Sequence, residues 1–289
     1  MSPFQELKAM HLTVAERIIR AIVWIVFVCF AASYVYLILW CFYSGARNYA
    51  DLASNPFGFS RIQWSNYIEV FTAIQSNGSN FLAMIWHSVY FSFFGPLISI
   101  FLTSALAYCC AKYKFVGSSL IPAIILIVMT LPIYGSGTAM YRLLYRLNWL
   151  DSYLMIFTSF NGFTGYFLYF YAFYQTVSGV YSEAASLDGA NPWQIYYRII
   201  LPQAMPLFGS LFLMAWIADW NSYGSALIYM PNLPTLAVGL YQFQTYAAYN
   251  NRMDLLFAGC AISMIPPLVL FAFCNKTMMS NVSIGGIKE

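Results

Sequence analysis

Charge is what this sequence has least of. Asp, Glu, Lys and Arg together make up 8% of its 289 residues, where a soluble domain carries about a quarter. Sixty-one per cent of the chain is hydrophobic, more apolar surface than a soluble fold can hide, so the composition implies a polytopic membrane protein in contact with lipid. The net charge of +3 is small and dispersed, which excludes a nucleic-acid surface. There are only two histidines. His11 and His87 stand apart, and each reads as a packed or interfacial side chain rather than a proton relay. Cys29, Cys41, Cys109, Cys110, Cys260 and Cys274 all fall in apolar runs, without a C-x-x-C pair or a Cys/His spacing for metal. They are expected to be buried, inert thiols. No G-x-x-x-x-G-K-[ST], H-E-x-x-H or G-x-S-x-G occurs. The chain is therefore expected to bind no ATP by a phosphate loop, to hold no metal and cofactor of its own, and to be no enzyme.

What is present is a series of apolar runs. Hydropathy and flanking charges place six spans, at about 18–43, 81–111, 118–141, 154–178, 205–229 and 254–275. Residues 1–80 hold a polar lead, the first span and a turn-rich connector; residues 81–289 hold the other five spans. The polar lead is long and the apolar run after Arg20 exceeds a signal-peptide core, so no cleavable leader is expected. Both termini on the cytoplasmic side would put Lys8, Arg17, Arg20, Lys112, Lys114, Arg198, Lys276 and Lys288 there. Arg47, Arg61, Arg142, Arg146 and Arg252 would lie opposite. Eight against five follows the positive-inside bias. Pro96, Pro122, Pro132, Pro266 and Pro267 predict bent helices, either around a cavity or as plain curvature.

The longest polar interval near the centre is Ser182 to Pro202. Its grammar is that of two short helices. Ser182 is placed to N-cap the first, Glu183 lies in its first turn, and Gly189 supplies a left-handed stop. Asn191 caps the second, with Pro192 at N1 and Gln194 at N3, close to a capping box. Pro202 is expected to end it.

Glu183-Ala184-Ala185-x-x-Asp188-Gly189-Ala190, followed by Ile200-Leu201-Pro202, resembles the cytoplasmic "EAA" loop of binding-protein-dependent ABC importer permeases. In that family the loop forms coupling helices seated in a cleft of a separate ATPase. Residues 234–240, 259–267 and 283–288 are similar to the C-terminal half of the maltose-type permeases. The resemblance implies an all-α, six-helix type I permease in the bacterial inner membrane, with the 182–202 loop and both termini cytoplasmic. It also implies partners: a second homologous permease, an ATPase homodimer that binds ATP and Mg, a periplasmic sugar-binding protein, and an oligosaccharide substrate. Alginate fragments are one candidate, neutral maltodextrins another. The tail at Gly285, Gly286 and Lys288 would reach towards the ATPase interface.

Asp219 is the one acid placed well inside a span, where ionisable groups face a bundle interior or a water path. It belongs to Asp219-Trp220-Asn221-Ser222-Tyr223, which offers hydrogen-bonding groups for sugar hydroxyls and aromatic faces for the C–H side of a ring. The segment resembles the Trp-Asn-x-[Phe/Tyr] stretch of carbohydrate-importing permeases. Asp219, Trp220, Asn221 and Tyr223 are thus candidate pathway residues, and inter-helix glue is the competing role. An anionic sugar would require cations along the outer path, for which Arg142, Arg146 and Arg252 are available. A different class of function, an ion- or proton-coupled secondary transporter using Asp219, would need paired broken helices.

Overall fold

The structure is a computed structural model that describes residues 14–131 and 135–282. The tail residues Gly285, Gly286 and Lys288 lie outside the described residues, as do Lys8, His11 and Pro132.

Four described helices are long and apolar enough to cross a membrane: Val14–Gly45, Phe81–Lys112, Pro192–Asn221 and Met253–Cys274. The first, α1 (Val14–Gly45), has 32 residues and so extends for about 48 Å, well beyond a bilayer core of about 30 Å. Most of its length is bare within this chain; only Cys41, Ser44 and Gly45 are buried. There it meets α13 (Met253–Val282), and a Cβ on Gly45 would stand 2.6 Å from Ala258 Cα. The two backbones touch at that crossing, and only glycine fits.

The connector after α1 folds as α2 (Tyr49–Ser54), α3 (Ser65–Ala73) and a two-residue hairpin of β1 (Gln75–Ser76) and β2 (Ser79–Asn80), with Gln75 opposite Asn80. Arg47 is its keystone. Its guanidinium is buried and donates to the carbonyls of Asp51 (2.9 Å), Asn55 (2.8 Å) and Pro56 (3.0 Å), and its Nε to Ser60 Oγ (2.7 Å). The charge is thus spent on carbonyls at the end of α2 and just beyond it. Arg252 is equally committed, to Glu69 at 2.8 Å and Asp254 at 3.4 Å, tying α3 to α13.

The next traverse is α4 (Phe81–Lys112), with Gly95 and Pro96 buried at its middle. The two that follow differ from the expected pair of continuous spans. α5 (Leu120–Thr130) stops after 11 residues, and α6 (Ser136–Arg146) starts from Gly135 at φ 96°. The fourth is a 3₁₀ segment, Tyr153–Ser159, then irregular chain, then the 10-residue α7 (Phe167–Thr176). Glycines mark both breaks: left-handed Gly135 begins α6 on a new course, and at Gly162 the chain lies so close to α4 that a Cβ would overlap Leu106. Irregular backbone at membrane depth survives only where protein or a water-filled cavity receives its polar groups.

After α7 come α8 (Val180–Leu187) and α9 (Pro192–Ile195), the π-turn Tyr196–Ile200 and α10 (Leu201–Asn221). Pro202 does not end the second short helix as expected. The helix continues through it, and the π-turn is the accommodation. Proline has no N–H to give to Arg198 and would clash with that carbonyl; widening the turn by one residue lets Leu201 N–H bond Tyr196 O instead. The fifth span therefore closes at Asn221 rather than near residue 229, and α11 (Gly224–Tyr229) and α12 (Leu236–Tyr249) follow as separate helices.

Three apolar clusters hold these pieces, the smallest packing α6, the 3₁₀ segment, α11 and α12 through Leu144, Met155, Ala226 and Val238. Of the larger two, one joins the Lys112 half of α4 to α7, α9 and α10 through Ile100, Phe170, Tyr174, Ile195 and Ile200. The other joins the Phe81 half of α4 to α3, α10, α12 and α13 through Phe81, Met84, Trp216, Trp220 and Leu255. His87 is buried, with Nδ1 3.0 Å from Pro234 O.

Candidate functional site

The 182–202 segment forms a rigid elbow. α8 begins one turn earlier than its sequence suggests: Gly179 is the N-cap, its carbonyl accepting from Ser182 N and Glu183 N at 3.0 Å each. Ser182 lies inside the helix, its hydroxyl buried. The other end closes as foreseen. Ala190 N donates to Ala185 O (3.0 Å) and Gly189 N to Ser186 O (3.1 Å), with Gly189 at φ 81°, which is a Schellman stop. Asn191 then forms a full capping box with Gln194: each side chain bonds the other's backbone N–H, at 2.8 and 2.9 Å.

Of the motif residues, Ala185 and Leu201 are buried in the helix cluster and Ala190 is half-buried. Glu183, Ala184, Asp188, Gly189 and Pro202 face outwards. Beside the two acids stand Leu187 and Trp193, 89% and 71% exposed. An apolar face that a single chain leaves bare beside a rigid helix marks a contact surface. The elbow is fastened inwards by hydroxyls. Tyr196 OH donates to Ser104 Oγ at 3.1 Å, and Ser104 Oγ lies 2.6 Å from Tyr174 OH, all three buried. Lys112 Nζ donates to Val177 O. Motion of the elbow is therefore motion of α4 and α7.

Towards the other end lies a cavity of about 300 Å³. Its walls come from the middle of α4 (Phe91, Ser92, Gly95), α6 (Met140), the 3₁₀ segment (Met155 to Ser159) and the end of α10 with α11 (Asp219, Ser222, Ser225, Tyr229). Both broken traverses thus border it, so their irregular backbone lies where it is tolerated. A Cβ on Gly95 would sit 3.1 Å from Ser159 Oγ and 3.6 Å from Asp219 Oδ2. Glycine here keeps the floor open under a hydroxyl and a carboxylate.

The four residues grouped by the sequence do not share this cavity. Asp219 lines it. Trp220, 4% exposed, turns the other way, stacked on Trp216 at 5.1 Å and donating Nε1–H to Ser263 O at 3.2 Å. Asn221 folds back on its own helix, Nδ2 to Ile217 O at 2.8 Å. Tyr223 is exposed and stacks on Tyr241 at 4.4 Å. Consecutive helical residues point about 100° apart, so a contiguous motif cannot face one space. Nothing in the sequence marks Ser159 or Ser225 as site residues; Pro96 inside α4 is the one visible pointer to Gly95.

The family model described as "Binding-protein-dependent transport system inner membrane component" matches residues 99–279. The chain belongs to this family. This inner-membrane component is 25% identical over 220 residues to the arabinooligosaccharides transport system permease protein AraQ of Bacillus subtilis (strain 168), covering 75% of this chain and 78% of that one. It is 27% identical to the maltose/maltodextrin transport system permease protein MalG of Escherichia coli (strain K12), over 72% of each. Its fold is that of a chain in the crystal structure of a bacterial ABC transporter involved in the import of the acidic polysaccharide alginate, with TM-score 0.75 and 21% identity over 93% of this chain and 99% of that one. The component is thus a permease of the sugar ABC importer family, with the type I fold.

Proposed function

We propose that this permease forms one half of an oligosaccharide pathway and that its elbow seats in a separate ATPase subunit. Glu183, Ala184, Asp188, Gly189 and the bare Leu187 would make the contact; Ala185, Ala190, Leu201 and Pro202 hold the elbow's shape. A second, related permease would supply the other half of the pathway, and a binding protein would deliver the sugar. ATP and Mg belong to the ATPase homodimer. The cytoplasm is the side for the elbow and for both termini.

The observation that carries this reading is the elbow's build: closed at both ends by its own caps, apolar on its free face, and bolted to α4 and α7. Binding energy can drive a transport cycle only if the partner holds the two states with different affinity. A rigid elbow lets that difference reach the helices around the cavity. ATPase co-purification tests it. Wild type should retain the ATPase, whereas Gly189→Pro, which cannot adopt a positive φ, and Glu183→Lys should each release it. Retention by both variants would sink the proposal. The rival, an ion-coupled carrier, has the broken traverses beside Asp219 in its favour; uptake persisting without any ATPase would establish it.

A further inference from the structure

The cavity has one charge in its wall, and that charge is negative. Among the described residues, Asp219 is its sole ionisable acid or base apart from the Tyr229 phenol, and no Lys, Arg or His lines it. Around the carboxylate stand hydroxyls: Ser92, Thr158, Ser159, Ser222 and Ser225. Among the outer arginines, Arg252 is paired with Glu69 and Asp254, Arg47 is consumed by backbone carbonyls, and Arg61, Arg142 and Arg146 do not reach the wall. No described donor engages either Asp219 oxygen; the carboxylate lines the cavity, and a Cβ on Gly95 would come within 3.6 Å of Oδ2.

We infer that the Asp219 cavity is a subsite for an uncharged glycosyl unit, and that this half of the pathway disfavours uronic acids. The inference rests on the oligosaccharide-importer reading and names its substrate class. A carboxylate accepts from hydroxyl donors along both oxygens, and such charge-assisted bonds are about twice as strong as neutral ones. The serine and threonine hydroxyls can donate or accept, which suits the mixed polarity of a sugar's rim. The methionines and Phe91 supply apolar surface for the C–H face. A uronate brought to the same place would set carboxylate against carboxylate with no cation between them, and like charges at an interface reject a ligand. The volume is at the lower end of ligand-pocket size, so one or two rings are held at a time. Similarity of fold to an alginate importer therefore does not carry its acidic substrate to this chain.

The test uses the complete transporter, this chain with its partner permease, ATPase and binding protein, in proteoliposomes. ATP-driven uptake of arabinotriose, maltotriose and an alginate trimer is measured for wild type, Asp219→Asn and Gly95→Ala, each variant checked for ATPase co-purification. A neutral trimer should be favoured by wild type. Asp219→Asn should lower that uptake by about tenfold, the size expected for a lost charged hydrogen bond, and shift the neutral-to-uronate ratio towards the uronate. The binding protein is the same in every arm, so a changed ratio reads the cavity. Gly95→Ala should lower uptake by crowding Ser159 and Asp219 without changing the charge. Preference of wild type for the alginate trimer overturns this inference and leaves the importer reading standing, as does neutral uptake unmoved by both variants. Loss of ATP dependence for every probe in wild type overturns the importer reading itself.

Discussion

Trp220 separates the two roles that a tryptophan beside an intramembrane acid can have. Its indole is stacked on Trp216 and bonded to Ser263 O, away from the cavity. Trp220→Phe should keep the ring in place and lose one hydrogen bond, a cost of about 1 kcal/mol. A small drop in thermal stability in detergent with uptake intact is the expected pair of results; a large loss of uptake at unchanged stability would place Trp220 on the pathway. Gly45 makes a sharper steric case, because a Cβ there meets the Ala258 backbone at 2.6 Å, and backbone cannot rotate aside. Gly45→Leu should cost about 1–3 kcal/mol or more through overpacking, read as a lowered unfolding midpoint. Gly117, with open space around its Cβ position, is the spatial control, although its own φ of 93° adds backbone strain to any substitution.

Elements show best where local rules decide and where they do not. The Asn191 capping box and the Gly189 stop were legible because each depends on residues within five positions of one another. Ser182 misled: it is a good cap by type, but α8 gains a turn by starting at Gly179, and the serine is then carried inside. Four of the six expected spans were legible by apolarity as long helices, yet hydropathy sums over a window and cannot see a break inside it, so α5 with α6 and the 153–176 stretch each read as one span. The same blindness hid the cavity, which the broken traverses border. Asp219 stood out alone because its charge is rare; its hydroxyl neighbours look like any serine in a membrane helix. At this scale the buried Ser104, Tyr174 and Tyr196 hydroxyls join three elements. Tyr196→Phe leaves the ring packing and cuts one link. The reconstituted transporter should then hydrolyse more ATP per sugar moved, about twofold or more, given a loss of roughly 1 kcal/mol from a buried hydrogen bond. An unchanged ATP-to-sugar ratio would reduce the trio to ordinary packing.

For the whole molecule the question is which way it faces. Phe59 is 99% exposed in the connector, and Val116 is fully exposed in the short α4–α5 turn. Leu187 is 89% exposed on the elbow. With the six native cysteines replaced, a membrane-impermeant maleimide should label Phe59→Cys in spheroplasts and reach Val116→Cys and Leu187→Cys only after lysis. Labelling at Leu187→Cys should fall further when the ATPase is present. The reverse pattern would turn the proposed orientation over.

The crossing at Gly45 has a consequence for assembly. Because α1 meets its own chain only near that one rivet, the remaining length behaves like an open scissor blade whose pivot sits at the connector. Some neighbour can slide into the gap without prising apart anything already packed. Filling the rivet would part the blade from α13 and leave it hanging on α3, by Tyr67 OH on Phe42 O and Asn66 Nδ2 on Gly45 O.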